Sequence, residues 1–151
     1  MRQRTQLVIG AAVVLALSGA TCGSNDPTSP DGNLLTGTWG GENVSMVVED
    51  AIAHVHIGCT NGDFTAPIAV DVDGNVTIEG SYVLRAYPIQ VGPSLPAVLD
   101  GVTSGRTLTF TVAVNDTVEK KLVVLGPVSV TFEREPRMGP CPICVRPRAL
   151  R

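Results

Sequence analysis

Cysteine is the residue type with the clearest chemical potential in this chain. The 151 residues contain four cysteines, of which the last two are separated by two residues: Cys22, Cys59, Cys141 and Cys144. A Cys-x-x-Cys pair can cycle between dithiol and disulfide when a helix dipole or a nearby cation lowers the pKa of its first thiol. Arginines follow Cys144, but no helix-forming segment does. A thiol-redox role is therefore an alternative function and not the first one.

A second candidate is a pair of histidines on one predicted strand. His54 and His56 alternate with Val55 and Ile57, so the two imidazoles share one face of the strand. Two imidazoles at this spacing can bind one metal ion. The sequence offers no third ligand, because Cys59 has the opposite parity, and the alternation places both rings on the outer face. We therefore expect exposed histidines and no resident metal or other cofactor.

Other motifs give no catalytic site. The segment from Asp71 to Asn75 has the spacing of the start of a calcium loop, but its twelfth position is Tyr82, where a carboxylate is required. A tight hairpin turn explains the segment. The motifs Gly-x-Ser-x-Gly and His-Glu-x-x-His do not occur, nor does a phosphate-binding glycine loop. We expect that the protein is not an enzyme.

Composition excludes one further class of partner. The chain has a net charge of −3 at pH 7, and 17% of its residues are charged while 44% are hydrophobic. Binding to nucleic acid needs a surplus of Lys and Arg that neutralises phosphates. A nucleic-acid partner is therefore not expected, and the length fits one domain.

The N-terminus has the parts of a secretory signal. Arg2 and Arg4 precede the apolar segment 7–17, and the small residues Ser18-Gly19-Ala20 follow it. A basic region, an apolar region of about 7–15 residues and a small-residue cleavage site are typical of export signals. The apolar segment is too short for a membrane-spanning helix, which needs about 20 residues. We therefore expect export, with a signal peptide over residues 1–21.

Residues 22–34 resemble the start of a mature bacterial lipoprotein. Cys22 lies just beyond the apolar segment, and no hydrophobic residue occurs in the stretch 23–30. In such lipoproteins the first mature residue is a lipid-modified cysteine that is followed by a flexible tether. The resemblance implies lipidation of Cys22, a membrane partner through that lipid, and a location at the bacterial cell envelope. A free periplasmic or secreted protein is the alternative.

If Cys22 carries a lipid, three cysteines remain for the mature domain. An exported protein is then expected to form one disulfide and keep one leftover thiol. A bond from Cys59 to either Cys141 or Cys144 would close a loop of about eighty residues, worth about 4 kcal/mol in the chain-entropy model. The sequence leaves the choice between the two C-terminal partners open.

The segments that must position these residues have the pattern of β-strands. Apolar and polar residues alternate over short runs that are bounded by turn residues, at 44–48, 54–59, 68–72, 76–84, 97–103, 106–114 and 128–133. No stretch combines a helical apolar stripe with helix caps. About seven or eight strands predict an all-β fold, a small antiparallel up-and-down barrel or alternatively a β-sandwich. We assign the barrel to residues 35–135 and a Pro- and Arg-rich tail to residues 136–151.

The start of the first strand, Gly37-Thr38-Trp39, resembles that of the lipocalin-like barrels. In those barrels the Trp closes one end and an Arg after the last strand packs over it, so the resemblance implies this role for Trp39 and for Arg134 or Arg137. The chain is also similar to small uncharacterised bacterial lipoproteins that share a Thr-Trp-Gly-Gly start and two later cysteines. The second lipocalin motif, Thr-Asp-Tyr, is missing.

These observations together predict an exported, lipid-anchored, non-catalytic barrel that binds a small apolar ligand or has a structural role. A barrel of about eight strands is just wide enough for one small ligand. If a cavity exists, aromatic rings are expected in its wall: Phe64, Tyr82, Tyr87, Phe110 and Phe132. The alternative function is a periplasmic thiol-redox or metal-handling protein that uses Cys141 and Cys144.

Overall fold

Eight antiparallel strands close into a barrel in the computed structural model of the chain. The structure describes residues 28–84, 86–87 and 90–141, with the backbone alone for 86–87 and 90–91. The predicted signal peptide, Cys22 and Cys144 lie outside the described residues, as does the side chain of Tyr87. The strands are β1 Gly37–Gly40, β2 Val44–Val48, β3 Ile52–Ile57, β4 Thr60–Thr65, β5 Asn75–Val83, β6 Ala86–Tyr87, β7 Gln90–Val91, β8 Leu95–Ser104, β9 Thr107–Asp116 and β10 Lys121–Phe132.

The strand order is that of an up-and-down barrel. Successive barrel strands pair with one another, and β5 pairs with β8 because β6 and β7 form a separate hairpin between them. The barrel closes between β1 and β10, where Trp39 lies opposite Phe132. The predicted small antiparallel barrel is therefore confirmed, and the alternative β-sandwich is not the fold.

Aromatic rings and glycines share the interior of the barrel. Three glycines lie opposite aromatic residues on the neighbouring strand: Gly62 opposite Tyr82, Gly80 opposite Phe64, and Gly101 opposite Phe110. A Cβ atom at Gly62 would lie 2.2 Å from Cδ2 of Tyr82, and one at Gly80 would lie 2.6 Å from Cδ1 of Phe64. Each ring thus covers a position that has no side chain, a device that lets large rings pack inside a small sheet.

The segment 68–72 was predicted to be a strand, and this prediction is wrong. It lies between β4 and β5 and makes one isolated bridge, Asn33 to Ala69. Its backbone is instead hydrogen-bonded to the chain before β1: Leu34 N–H donates to the carbonyl of Ile68 at 2.8 Å. Ile68 is fully buried while Val72 is fully exposed. The alternation therefore marks a loop with one side on the core and not a strand of the sheet.

The strand β4 was not predicted. Most of this strand has polar side chains or none, at Asn61, Gly62 and Asp63. Phe64 is its one large apolar residue. The strand before it lies two residues earlier than predicted, since β3 begins at Ile52 and ends at Ile57, and Cys59 lies in the turn that follows. The sheet pairing of β4 with β3 and β5 outweighs its weak sequence pattern.

Candidate functional site

A disulfide joins the turn after β3 to the end of the described chain. Cys59 bonds to Cys141 with a Cα–Cα distance of 5.5 Å and a sequence separation of 82. The sequence left Cys141 and Cys144 as alternative partners, and the structure selects Cys141. Because Cys141 is bonded to Cys59, it is not available to form a Cys-x-x-Cys disulfide with Cys144 in this state.

The C-terminal segment 133–141 reaches this disulfide by crossing the outside of the barrel. The chain reverses after β10 at Glu133, which has a φ of 58°. It then passes over Gly40, whose Cβ position would lie 2.2 Å from the carbonyl oxygen of Arg134 and 2.6 Å from the nitrogen of Pro136. Gly40 faces outward, because Trp39 next to it in the strand faces the core. Gly40 is nevertheless buried. The absence of a side chain at Gly40 therefore makes room for the C-terminal segment.

Backbone hydrogen bonds hold the same segment beside the turn between β1 and β2. Arg137 N–H donates to the carbonyl of Gly41 at 3.0 Å, and Asn43 N–H donates to the carbonyl of Arg137 at 2.8 Å. Gly139 N–H donates to Oδ1 of Asn43 at 3.3 Å. The segment is thus hydrogen-bonded at Arg137 and Gly139, and the disulfide joins its end to the turn after β3.

Two residues of the predicted barrel-end motif, Gly37 and Trp39, lie next to Phe132. The Trp39 side chain is fully buried, and its Nε1–H donates to the carbonyl of Leu35 at 3.0 Å. Its ring centroid lies 5.1 Å from that of Phe132, and the guanidinium carbon of Arg106 lies 5.0 Å from the Phe132 centroid. Gly37, with a φ of 132°, lies beside Phe132, which would be 3.3 Å from a Cβ at Gly37.

The predicted arginine lies elsewhere on the surface. Arg134 contacts Glu42, with Nη2 at 3.5 Å from Oε1, and Arg137 contacts the same carboxylate at 3.3 Å. Arg106, in the turn between β8 and β9, is the cation that the structure places over the ring of Phe132. Sequence reasoning missed Arg106 because the pairing of β9 with β10, in which Thr107 lies opposite Thr131, brings this turn next to the end of β10.

The two histidines lie on the outer wall as predicted, and the structure adds a carboxylate to them. His54 and His56 are in β3, and their Nε2 atoms are 2.9 Å apart. Asp63 is the cross-strand partner of His54 on β4, and its Oδ1 lies 2.5 Å from Nδ1 of His54. Partial burial, and then the nearby His54, lower the pKa of His56. The sequence analysis did not identify Asp63 as a partner of His54, because it did not predict the strand β4.

No set of three His, Cys, Asp or Glu side chains in the described part of the chain is arranged to hold a metal ion. The suspected calcium segment is a turn, as expected. Oδ1 of Asp71 accepts hydrogen bonds from the backbone N–H groups of Asp73 and Asn75, at 2.9 and 2.7 Å. The side-chain amide of Asn75 donates to the same carboxylate and, as the largest cause, holds its pKa below the ordinary value. The carboxylate of Asp71 is thus used within its own turn.

Three of the five aromatic rings expected around a ligand cavity are packed into the core. Phe64, Tyr82 and Phe110 are each at most 1% exposed. The Tyr82 hydroxyl donates to Oγ1 of Thr60 at 2.8 Å, and Thr60 in turn donates to the carbonyl of Ile57 at 2.7 Å. Burial raises the pKa of Tyr82. An open concavity of about 380 Å³ lies on the outer wall, where Pro96, Val98, Ala113 and Leu122 are among its lining residues.

The fold and its disulfide define a small up-and-down barrel with the C-terminal segment 133–141 bound to its outside. No family model, curated protein or solved structure matches the chain. In the residues that the structure describes, no helix has the length and apolar character needed to cross a bilayer. The function must therefore be argued from the residues of this chain.

Proposed function

We propose that the chain is an exported, lipid-anchored, non-catalytic barrel with a structural role at the bacterial cell envelope. The observation that carries this proposal is the Cys59–Cys141 disulfide. Disulfides form and persist in oxidising compartments outside the cytoplasm and are rare inside it. The bond therefore agrees with the export signal that the N-terminal sequence predicts.

The pairing of the cysteines supports an anchor at Cys22. The structural bond uses Cys59 and Cys141, so the barrel does not need Cys22 for a disulfide. Cys22 lies directly after the predicted signal and before a polar stretch, where a lipid would place the membrane on one side of a tether and the barrel on the other. A membrane is then the partner of the chain through the N-terminal lipid.

The packing of the barrel favours a structural role over a ligand inside it. The rings of Phe64, Tyr82 and Phe110 fill the space opposite three glycines and are at most 1% exposed. A lipocalin-like ligand site needs empty space inside the barrel, and in this barrel the three rings occupy that space. A small apolar ligand would therefore have to bind on the outer wall.

The thiol-redox alternative has less support. Its mechanism needs Cys141 and Cys144 to exchange between dithiol and disulfide. Cys141 is instead bonded to Cys59, which lies 82 residues earlier in the sequence. Alkylation of the native protein discriminates between the two functions, because a redox pair predicts that Cys141 and Cys144 react together, while the structural bond predicts that Cys141 is protected.

Cell fractionation tests the anchor. The full chain, its Cys22→Ala variant and its Cys144→Ser variant are produced in a bacterial host that exports them by their own signal. We expect the unmodified chain and Cys144→Ser in the membrane fraction, and Cys22→Ala in the periplasm or the medium. Membrane association of Cys22→Ala equal to that of the unmodified chain would contradict the proposal.

A further inference from the structure

We propose that His54 and His56 bind one divalent transition-metal ion on the outer wall of the barrel, with Asp63 orienting the imidazole of His54. This site is independent of the anchor and of the disulfide, and it rests on the relative placement of three side chains. Both histidines lie on β3, which is paired on both sides within the closed sheet. The two ligands are therefore held on a rigid element before an ion arrives.

The distance between the two imidazoles fits adjacent positions around one ion. Metal–nitrogen bonds to His are about 2.0–2.1 Å long, so two nitrogens at 90° around an ion are about 2.9 Å apart. The observed separation between Nε2 of His54 and Nε2 of His56 is 2.9 Å. A tetrahedral ion would need about 3.3 Å between the same atoms. The pair is therefore set for an ion with right-angled ligands.

The orientation of the rings points the same way. A linear N–H···N bond at this distance would hold the two ring centroids about 5.2 Å apart, while two imidazoles at right angles around an ion bring them to about 4.5 Å. The centroids of His54 and His56 are 4.7 Å apart, with 70° between the ring planes. The centroid separation is thus closer to that of two ligands of one ion than to that of a linear hydrogen bond.

Asp63 fixes the form of His54 that can bind a metal. Its Oδ1 lies 2.5 Å from Nδ1 of His54, and a carboxylate oxygen accepts hydrogen bonds, so the proton of the imidazole is on Nδ1. The lone pair of His54 is then on Nε2, where it accepts the Nε2–H of His56 at 2.9 Å. Binding of an ion between the two nitrogens replaces this hydrogen bond, and the proton of His56 moves to its Nδ1 through solvent. Carboxylates that hold the second nitrogen of a metal-binding His raise its basicity and fix its orientation. Asp63 is therefore a positioning residue and not a ligand.

The surroundings leave room for the other ligands of the ion. The side chains of His54 and Asp63 are 43% and 49% exposed, so water reaches the site. The described residues offer no third protein ligand, and solvent molecules would complete the coordination. Imidazole nitrogens in a tetragonal arrangement suit Cu(II) or Ni(II), and Cu(II) binds most strongly among the divalent first-row ions. The site is therefore expected to take Cu(II).

Titration of the full chain with Cu(II) in the presence of a competing chelator tests the site. The Cys144→Ser background removes the cysteine that lies neither in the disulfide nor at the proposed lipid anchor, and electron paramagnetic resonance counts the nitrogen ligands. We expect one Cu(II) per chain with two imidazole nitrogens. His54→Gln and His56→Gln should each weaken binding by at least about tenfold, and Asp63→Asn by about tenfold with the two nitrogens retained.

The matched control is Asp100→Asn, which removes a carboxylate from the outer wall that bonds to Thr77 and is remote from β3. This variant should bind Cu(II) as the unmodified chain does, and circular dichroism confirms that each variant is folded. Cu(II) affinity that His54→Gln leaves unchanged would overturn the proposal. So would a spectrum without nitrogen ligands, or a shared proton between the two rings with no measurable uptake of metal.

Discussion

The backbone of Arg134 lies directly over Gly40. The carbonyl oxygen of Arg134 is 2.2 Å from the position that a Cβ at Gly40 would occupy. After this contact the chain follows the turn between β1 and β2 and reaches Cys141. A residue of the first strand and a residue after the last strand thus fit together only because one of them has no side chain.

Replacement of Gly40 by Ala is expected to destabilise the protein by about 1–3 kcal/mol, the range found when a group is forced into a packed site. The added methyl group collides with backbone and not with a movable side chain, so the C-terminal segment has to shift. Urea denaturation measures the loss. The matched control is Gly139→Ala, where the nearest atom, Oδ1 of Asn43, is 3.4 Å away. Equal stability of the two variants would contradict the contact.

Removal of the disulfide is expected to lower the free energy of unfolding by about 4 kcal/mol, because the unfolded chain loses a large closed loop. The double variant Cys59→Ser/Cys141→Ser tests this in a denaturation experiment under oxidising conditions. Cys144→Ser should unfold as the unmodified chain does and should keep the disulfide. A bridge from Cys59 that persists in Cys141→Ser and disappears in Cys144→Ser would contradict the observed pairing.

Tyr82 is expected to limit stability at alkaline pH. Burial raises its pKa above the ordinary value of 10.0, so its neutral phenol is the form that the fold favours. The stabilising contribution is complete below pH 10 and is lost as the pH rises through the folded-state pKa, because the unfolded chain releases the proton first. Tyrosinate absorbance of Tyr82 should therefore appear together with unfolding.

The control for this titration is Tyr87→Phe, which leaves Tyr82 as the only tyrosine. Tyr82→Phe keeps the ring in the core but removes the hydroxyl that bonds to Thr60. It should cost about 1 kcal/mol at neutral pH and weaken the dependence of stability on pH above 10. Ionisation of Tyr82 in the folded Tyr87→Phe protein, at the pH of a free tyrosine, would show that burial has no such effect.

The filled interior predicts that the unmodified barrel takes up no small apolar molecule in its core. Phe64→Ala should lose about 3–5 kcal/mol of stability and open a cavity beside Gly80. Xenon-induced changes in the nuclear magnetic resonance spectrum are then expected for the variant alone. Val72→Ala, at a fully exposed position, is the control that should change neither property. Xenon in the core of the unmodified protein would favour a ligand-binding function.

The alternation of apolar residues predicts most of the sheet, because a small barrel has one buried and one solvated face along every strand. The prediction fails where the alternation of apolar residues does not coincide with the pairing of strands. Ile68 and Val70 alternate like a strand but lie in a loop, and β4 is a strand although Gly62 and Asp63 weaken its pattern. Only the neighbouring strands distinguish these two cases.

The candidate sites depend on contacts between residues that are distant in the sequence. The spacing of His54 and His56 places them on one face, but Asp63 joins them through the pairing of β3 with β4. Arg106 reaches Phe132 because the turn after β8 lies beside the end of β10. The sequence limited the partner of Cys59 to two residues, and the path of the C-terminal segment decides between them.

We propose that the chain is an exported lipoprotein whose barrel carries one structural disulfide. The intact mass of the protein from the membrane fraction, produced with its own signal and alkylated before and after reduction, tests this proposal. We expect a species that begins at Cys22, carries acyl chains, and gains two further alkyl groups only after reduction. An unacylated species that begins elsewhere, or one whose Cys141 and Cys144 exchange together between dithiol and disulfide, would contradict it.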